Sequence, residues 1–204
     1  MRLLLFLLLP TLALAQRAPV PTPPSAAKAA ARPAPAKRPA PLPATAVPWS
    51  AGRPLTVADF QGRPGPTEPH AALASATIDA KGACSGNVFT AEVRAVFDPN
   101  TSWVREPATM SAALLRHEQL HFDIAEIYAR QLRLRLAGAH PNCAQLQSTF
   151  GRISQAVYTE WEREEARYDQ ETSHGLNAVQ QTLWERQTAV RLQQLAAYAL
   201  KEAE

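Results

Sequence analysis

The chain is poor in cysteine and glycine, has no acidic residue in its first 48 positions, and has no long apolar run after its first 15. Each shortage excludes something. Without a later apolar run there is no second segment to cross a bilayer, so no stable transmembrane anchor is expected once the leader is removed. Residues 16–48 are almost entirely Pro, Ala and scattered Lys or Arg, short of the aromatic and β-branched residues that offset the entropy of ordering. That composition gives an extended Pro/Ala-rich linker rather than a packed domain. Six of the 21 Lys and Arg lie in residues 1–48, which leaves 15 against all 18 Asp and Glu in the remainder. The remainder is mildly acidic, and nucleic acid is excluded as its expected partner.

Two cysteines, Cys84 and Cys143, leave room for one disulfide. In an exported protein they are expected to pair, with two free thiols or a shared metal site as the alternatives. Closing a loop of about 59 residues would stabilise the fold by roughly 4 kcal/mol in the chain-entropy model.

What is present begins with residues 1–15, MRLLLFLLLPTLALA. An early Arg, a short apolar stretch and a small-x-small end describe a signal peptide cleaved after Ala15, and hence a periplasmic or extracellular protein, with an uncleaved membrane anchor as the alternative. Residues 49–204 then form a domain long enough to bury a core. Residues 53–60, 71–79 and 87–98 read as strands, the last by its alternation of Phe89, Ala91, Val93, Ala95 and Phe97 with outward neighbours. A helix capped by Thr109 or Ser111 is expected to run to about Ala137 and stop at Gly138. Two more helices are expected, from Cys143 to about Thr172 and from Asn177 towards Leu200. The charged stretch 160–167 reads as a solvated face, and Val179, Leu183, Val190 and Leu195 as core positions of the last helix. A small sheet followed by three helices is an α+β fold.

The first helix carries His117-Glu118-Gln119-Leu120-His121. Spacing of four puts both imidazoles on one helical face, one turn apart, where both reach a single tetrahedral Zn²⁺. Glu118, next to the first ligand, can take a proton from a water on the metal as that water attacks a carbonyl. A catalytic zinc needs a third protein ligand. His174 is the expected one: imidazole suits zinc, and Gly175 lets the backbone turn it over the first helix. His70, His140, Asp169, Glu171 and Asp123 are weaker candidates, and Asp123 points away from the pair. Asp169 is expected to orient a ligand from behind. Tyr168 is either an oxyanion donor or a packed side chain.

Leu55-Thr56, Asp59-Phe60-Gln61-Gly62, Ser102-Trp103-Val104, the block from Leu114 to Glu126 and Tyr168-Asp169-x-Glu171-Thr172-x-His174-Gly175 together resemble a bacterial family. It is catalogued as a domain of unknown function and described as predicted secreted zinc-dependent proteases. The resemblance implies a zincin-like peptidase fold, a zinc cofactor and export, and its last block also marks His174. Val57-Ala58 departs from it, where a Trp is expected near the Asp-Phe pair.

The expected function is a secreted zinc metallopeptidase acting on a peptide or cell-envelope substrate. The alternatives are a non-catalytic envelope protein with a structural zinc, and a zinc amidase acting on a non-peptide or cell-wall substrate. In the first reading, strand 87–98 could pair with extended substrate at a sheet edge.

Overall fold

A computed structural model describes residues 43–201. The expected signal peptide and residues 16–42 of the expected linker lie outside the described residues. The element order is β1 (Val47–Pro48), β2 (Ala72–Leu73), β3 (Ala76–Ser85), β4 (Val88–Phe97), β5 (Trp103–Val104), α1 (Ala112–Ala139), α2 (Gly151–Thr172) and α3 (Ala178–Gln194), with short 3₁₀ and π turns between. The fold is mixed α+β, a small sheet followed by three long helices.

Helix α1 is the axis of the fold. The Ser111 hydroxyl caps it by accepting from the Leu114 N–H at 3.1 Å, satisfying one of the donors a helix start leaves free. Ile124–Arg130 are buried without interruption, so this stretch is enclosed on all sides rather than on one stripe. The sheet β1-β4-β3 covers one side and α2 and α3 the others. Phe97 bridges Phe60 and Phe122, at 5.2 and 5.9 Å between ring centroids. Tyr158 of α2 donates to the Ile78 carbonyl of β3 at 2.6 Å.

Several expectations are corrected. Residues 53–60 form no strand. Asp59 accepts from the Thr56 N–H and hydroxyl and pairs with Arg53, closing a 3₁₀ turn at Val57–Asp59. The single strand expected at 71–79 is two, because the Ala74 N–H turns to Glu118 and the Ser75 N–H to the Ser102 hydroxyl. Strand β4 is central rather than an edge, paired with β3 throughout and with β1 at Val96 and Phe97. Helix α1 continues through Gly138 and ends where His140 turns left-handed, at φ 44°. The second helix opens as a 3₁₀ and then a π turn before Gly151.

On α3, Val179, Leu183 and Val190 are exposed, and Leu195 only packs against the core. Gln181, Trp184 and Thr188 are its buried residues. The charged stretch on α2 is no simple solvated face, since Glu164 is buried and bonded to Arg191 and Tyr128. Cys84 and Cys143 form the expected disulfide, with Cα atoms 5.8 Å apart, tying β3 to the turn before α2.

Candidate metal centre

His117 and His121 extend from α1 side by side, ring centroids 4.9 Å apart and planes near perpendicular at 83°. Their Nε2 atoms are 3.3 Å apart. Asp169, from the last turn of α2, places Oδ1 3.2 Å from His117 Nε2 and 3.1 Å from His121 Nε2. The expected third ligand, His174, brings Nδ1 to 3.4 Å from the same oxygen, with its side chain about half exposed. Thus Asp169 sits against the pair and His174 against Asp169, on the solvent side.

Neighbours fix how the rings present themselves. His117 Nδ1 is 3.2 Å from the Gln181 side-chain oxygen, and His121 Nδ1 is bonded to Glu165. With those N–H groups donated outward, both Nε2 atoms turn lone pairs inward. They face Asp169 Oδ1, which is buried and lacks a well-aligned donor. Three acceptors thus meet within 4.8 Å, an arrangement that a proton or a cation must relieve. Their separations match the edges of a tetrahedron, about 3.3 Å for ligand bonds of about 2.0–2.1 Å. These residues fit a small divalent cation.

Without such an ion the proton does that work. Burial alone would lower the His121 pKa, but the Asp169 and Glu165 carboxylates, accepting from its ring N–H groups, outweigh it and carry the value to about 10. Burial likewise opposes ionisation of Asp169, yet the imidazoles at His117 and His121 hold its pKa well below the usual carboxylate range.

Glu118 is 4% exposed, and its Oε2 accepts from the Ala74 N–H at 2.8 Å. Burial raises its pKa, with His121 and His117 opposing the shift, which makes it a stronger base than a free carboxylate. The loop after α2 closes the other wall. Ser173, His174 and Gly175 are all left-handed, at φ 50°, 53° and 80°. The His174 N–H bonds back to the Asp169 carbonyl at 2.9 Å, and the Gly175 N–H to the Thr172 hydroxyl at 3.3 Å. A Cβ on Gly175 would come within 3.0 Å of His117 Cβ and Cγ. Glycine is required there for its backbone and for the approach to the histidine.

Tyr168 resolves towards the packed alternative. It is fully buried, its ring stacks on His117 at 4.7 Å, and its hydroxyl bonds the His117 carbonyl and Gln181 at 3.1 and 2.9 Å. Asp123 does face away, accepting from Trp49 and Gln119. Glu165 and Gln181 were not singled out by the sequence. Glu165 sits in the charged stretch and Gln181 in an ordinary polar helix, and only the packing of α2 and α3 on α1 reveals them.

The histidines, Glu118, Glu165 and Asp169 open onto a cleft of about 640 Å³, walled by β2, the first turns of α1 and the loop after α2. Among the described residues, no Lys or Arg lines it. No helix among the described residues is long and apolar enough to cross a membrane. No curated protein and no solved structure gives a match. Residues 56–175, more than half of the chain and including every residue of the cluster, match the family described as bacterial protein of unknown function (DUF922), and the chain belongs to that family.

Proposed function

We propose that this protein is an exported, zinc-dependent hydrolase of the zincin-like peptidase type. The observation that carries the proposal is the meeting of His117 Nε2, His121 Nε2 and Asp169 Oδ1 as three acceptors beside a buried Glu118, in a cleft that no Lys or Arg of the described residues lines. Export follows from the leader-like residues 1–15 and suits the Cys84–Cys143 disulfide.

His117, His121 and Asp169 would hold the ion. His174 would brace Asp169 from the solvent side, the reverse of the order expected from sequence. His174→Ala and Asp169→Ala separate the two assignments, since loss of the true ligand removes the metal and loss of the brace only weakens it. Zinc, when bound, supplies a Lewis acid that polarises a carbonyl and makes water more acidic.

The chain's own residues do the rest. Gln181 and Glu165 accept from the Nδ1 side of His117 and His121, which would leave both Nε2 atoms to the ion when it is bound. Glu118, held by the Ala74 N–H, accepts a proton from the attacking water and returns it to the leaving amine. The Arg105 N–H bonds the Ala71 carbonyl, and Leu73 pairs with Trp103. By the alternation of an antiparallel ladder, Ala72 therefore turns its N–H and carbonyl away from β5. Ala72 is 7% exposed and lines the cleft, and this side of β2 is the edge with which an extended peptide would pair. It takes the role that the sequence gave to 87–98.

The test is a screen of peptide and peptidoglycan substrates with the zinc-loaded wild type and Glu118→Ala. Removing the base should lower kcat/KM by about 10²–10⁴-fold while zinc stays bound. Equal activity in the mutant, or no turnover of any substrate, overturns the catalytic reading.

A further inference from the structure

The cleft combines exposed leucines with buried and half-buried carboxylates. Leu176 is 87% exposed and Leu73 is 44% exposed, and both line it. Leu114, in the first turn of α1, lines the same cleft, as do Ala71, Ala113, His70 and His174. Large apolar side chains exposed together at a pocket mouth are costly to leave in water and are best explained by something that covers them.

Charge narrows the occupant. Among the described residues, the lining holds Glu118, Glu165 and Asp169 and no Lys or Arg. A bound divalent ion would offset two of those three charges, which still leaves the balance short of positive. An anionic segment would therefore be desolvated there against a net negative lining, with no cation besides that ion to meet it among the described lining residues. The free Ala72 edge beside Leu73 selects extended backbone.

Resting on the hydrolase reading above, we infer that the cleft takes an extended peptide through one bulky, uncharged apolar side chain. That side chain seats among Leu73, Leu114 and Leu176, and acidic segments, including anionic cell-wall stem peptides, are excluded. Leu176, on the loop just before α3, is the main specificity determinant.

Two readouts on the purified, zinc-loaded chain test this. The first is cleavage of a mixed peptide library followed by mass spectrometry. The second is fluorescence-anisotropy binding of a labelled Leu-containing peptide and its Asp-substituted counterpart to Glu118→Ala. Cut sites should show one neighbouring position dominated by Leu, Phe or Met, and the Leu peptide should bind at least about tenfold tighter than the Asp one. Leu176→Ser, an exposed change that does not threaten folding, should cut the preference for Leu over Ala at that position by about tenfold, the order expected for a lost apolar contact. Leu73→Ser should act in the same direction.

Cleavage with no apolar preference, or a preference unchanged by both substitutions, overturns this inference and leaves the hydrolase reading in place. Tight Leu-peptide binding that Leu176→Ser abolishes, with no cleavage by the wild type, upholds the inference and overturns the hydrolase reading. Absence of both binding and cleavage overturns the two together.

Discussion

Glu164 and Glu165 are neighbours on α2, yet they serve two different buried polar clusters. Glu164 meets Arg191 and the Tyr128 hydroxyl, and nearby on α1 Glu126 is bonded to Arg130 and Arg133. There each carboxylate has its own guanidinium, whose fixed fork supplies the donors a buried carboxylate needs. Glu165 instead meets His121, in a cluster where Glu118, Asp169 and two imidazoles are gathered without any arginine. One cluster is complete in itself, and the other is short of positive charge. The same three helices build both, so the shortage belongs to the choice of residues rather than to the fold.

The sharpest way to break that comparison is to neutralise each glutamate in turn. Glu164→Gln should strand Arg191 in a largely buried site and cost about 3 kcal/mol of stability, in the range for breaking a buried ion pair. Zinc content should not change. Chemical denaturation and elemental analysis on the same sample check both halves. Glu165→Gln should do the opposite: zinc affinity falls about 10–100-fold, as for other carboxylates that orient a ligating histidine. The stability of the zinc-free protein should move far less than for Glu164→Gln. If the two variants behave alike, the distinction between the clusters fails.

A smaller effect extends the arginine-backed class to the N-terminal part of the domain. Burial would raise the Asp59 pKa, but the Thr56 N–H and hydroxyl and the Arg53 guanidinium outweigh it and lower the value. A lowered folded-state pKa gives stability that is complete above the ordinary value of 3.8 and lost as pH falls through the folded value. Asp59→Asn should therefore cost about 1 kcal/mol at pH 7, and its difference from wild type should shrink towards zero in acid. Urea titrations at pH 7 and below pH 4 measure it. Smallest of all, Val179→Ser on the exposed face of α3 should change stability by no more than about 0.5 kcal/mol. A larger loss would mean that face is covered.

The pattern of what could be read from sequence follows the same divide. His117, Glu118 and His121 were legible because helical spacing alone places them together, and β4 because period-2 alternation is local. The Cys84–Cys143 pairing followed from there being no other cysteine. What failed depended on the tertiary environment. Residues 53–60 have strand-like composition, but Asp59 turns the backbone by accepting from Thr56. Val179, Leu183 and Val190 have helical spacing, yet α3 packs with its Gln181–Trp184–Thr188 face, because Trp184 stacks near Tyr168, at 5.2 Å between ring centroids, and Gln181 reaches His117. Asp169 and Glu165 lie 48 and 44 residues from the histidines they meet. Asp169 was named only as a weaker candidate and as a carboxylate behind a ligand, and no periodicity on α1 could have named Glu165.

The most direct test of the central claim is elemental analysis of the purified chain, reconstituted with zinc and dialysed, beside His121→Ala and Glu118→Ala. Holding of the ion by His117, His121 and Asp169 predicts about one zinc per chain in the wild type and in Glu118→Ala, and essentially none in His121→Ala. Equal zinc in wild type and His121→Ala, or none in either, would contradict it.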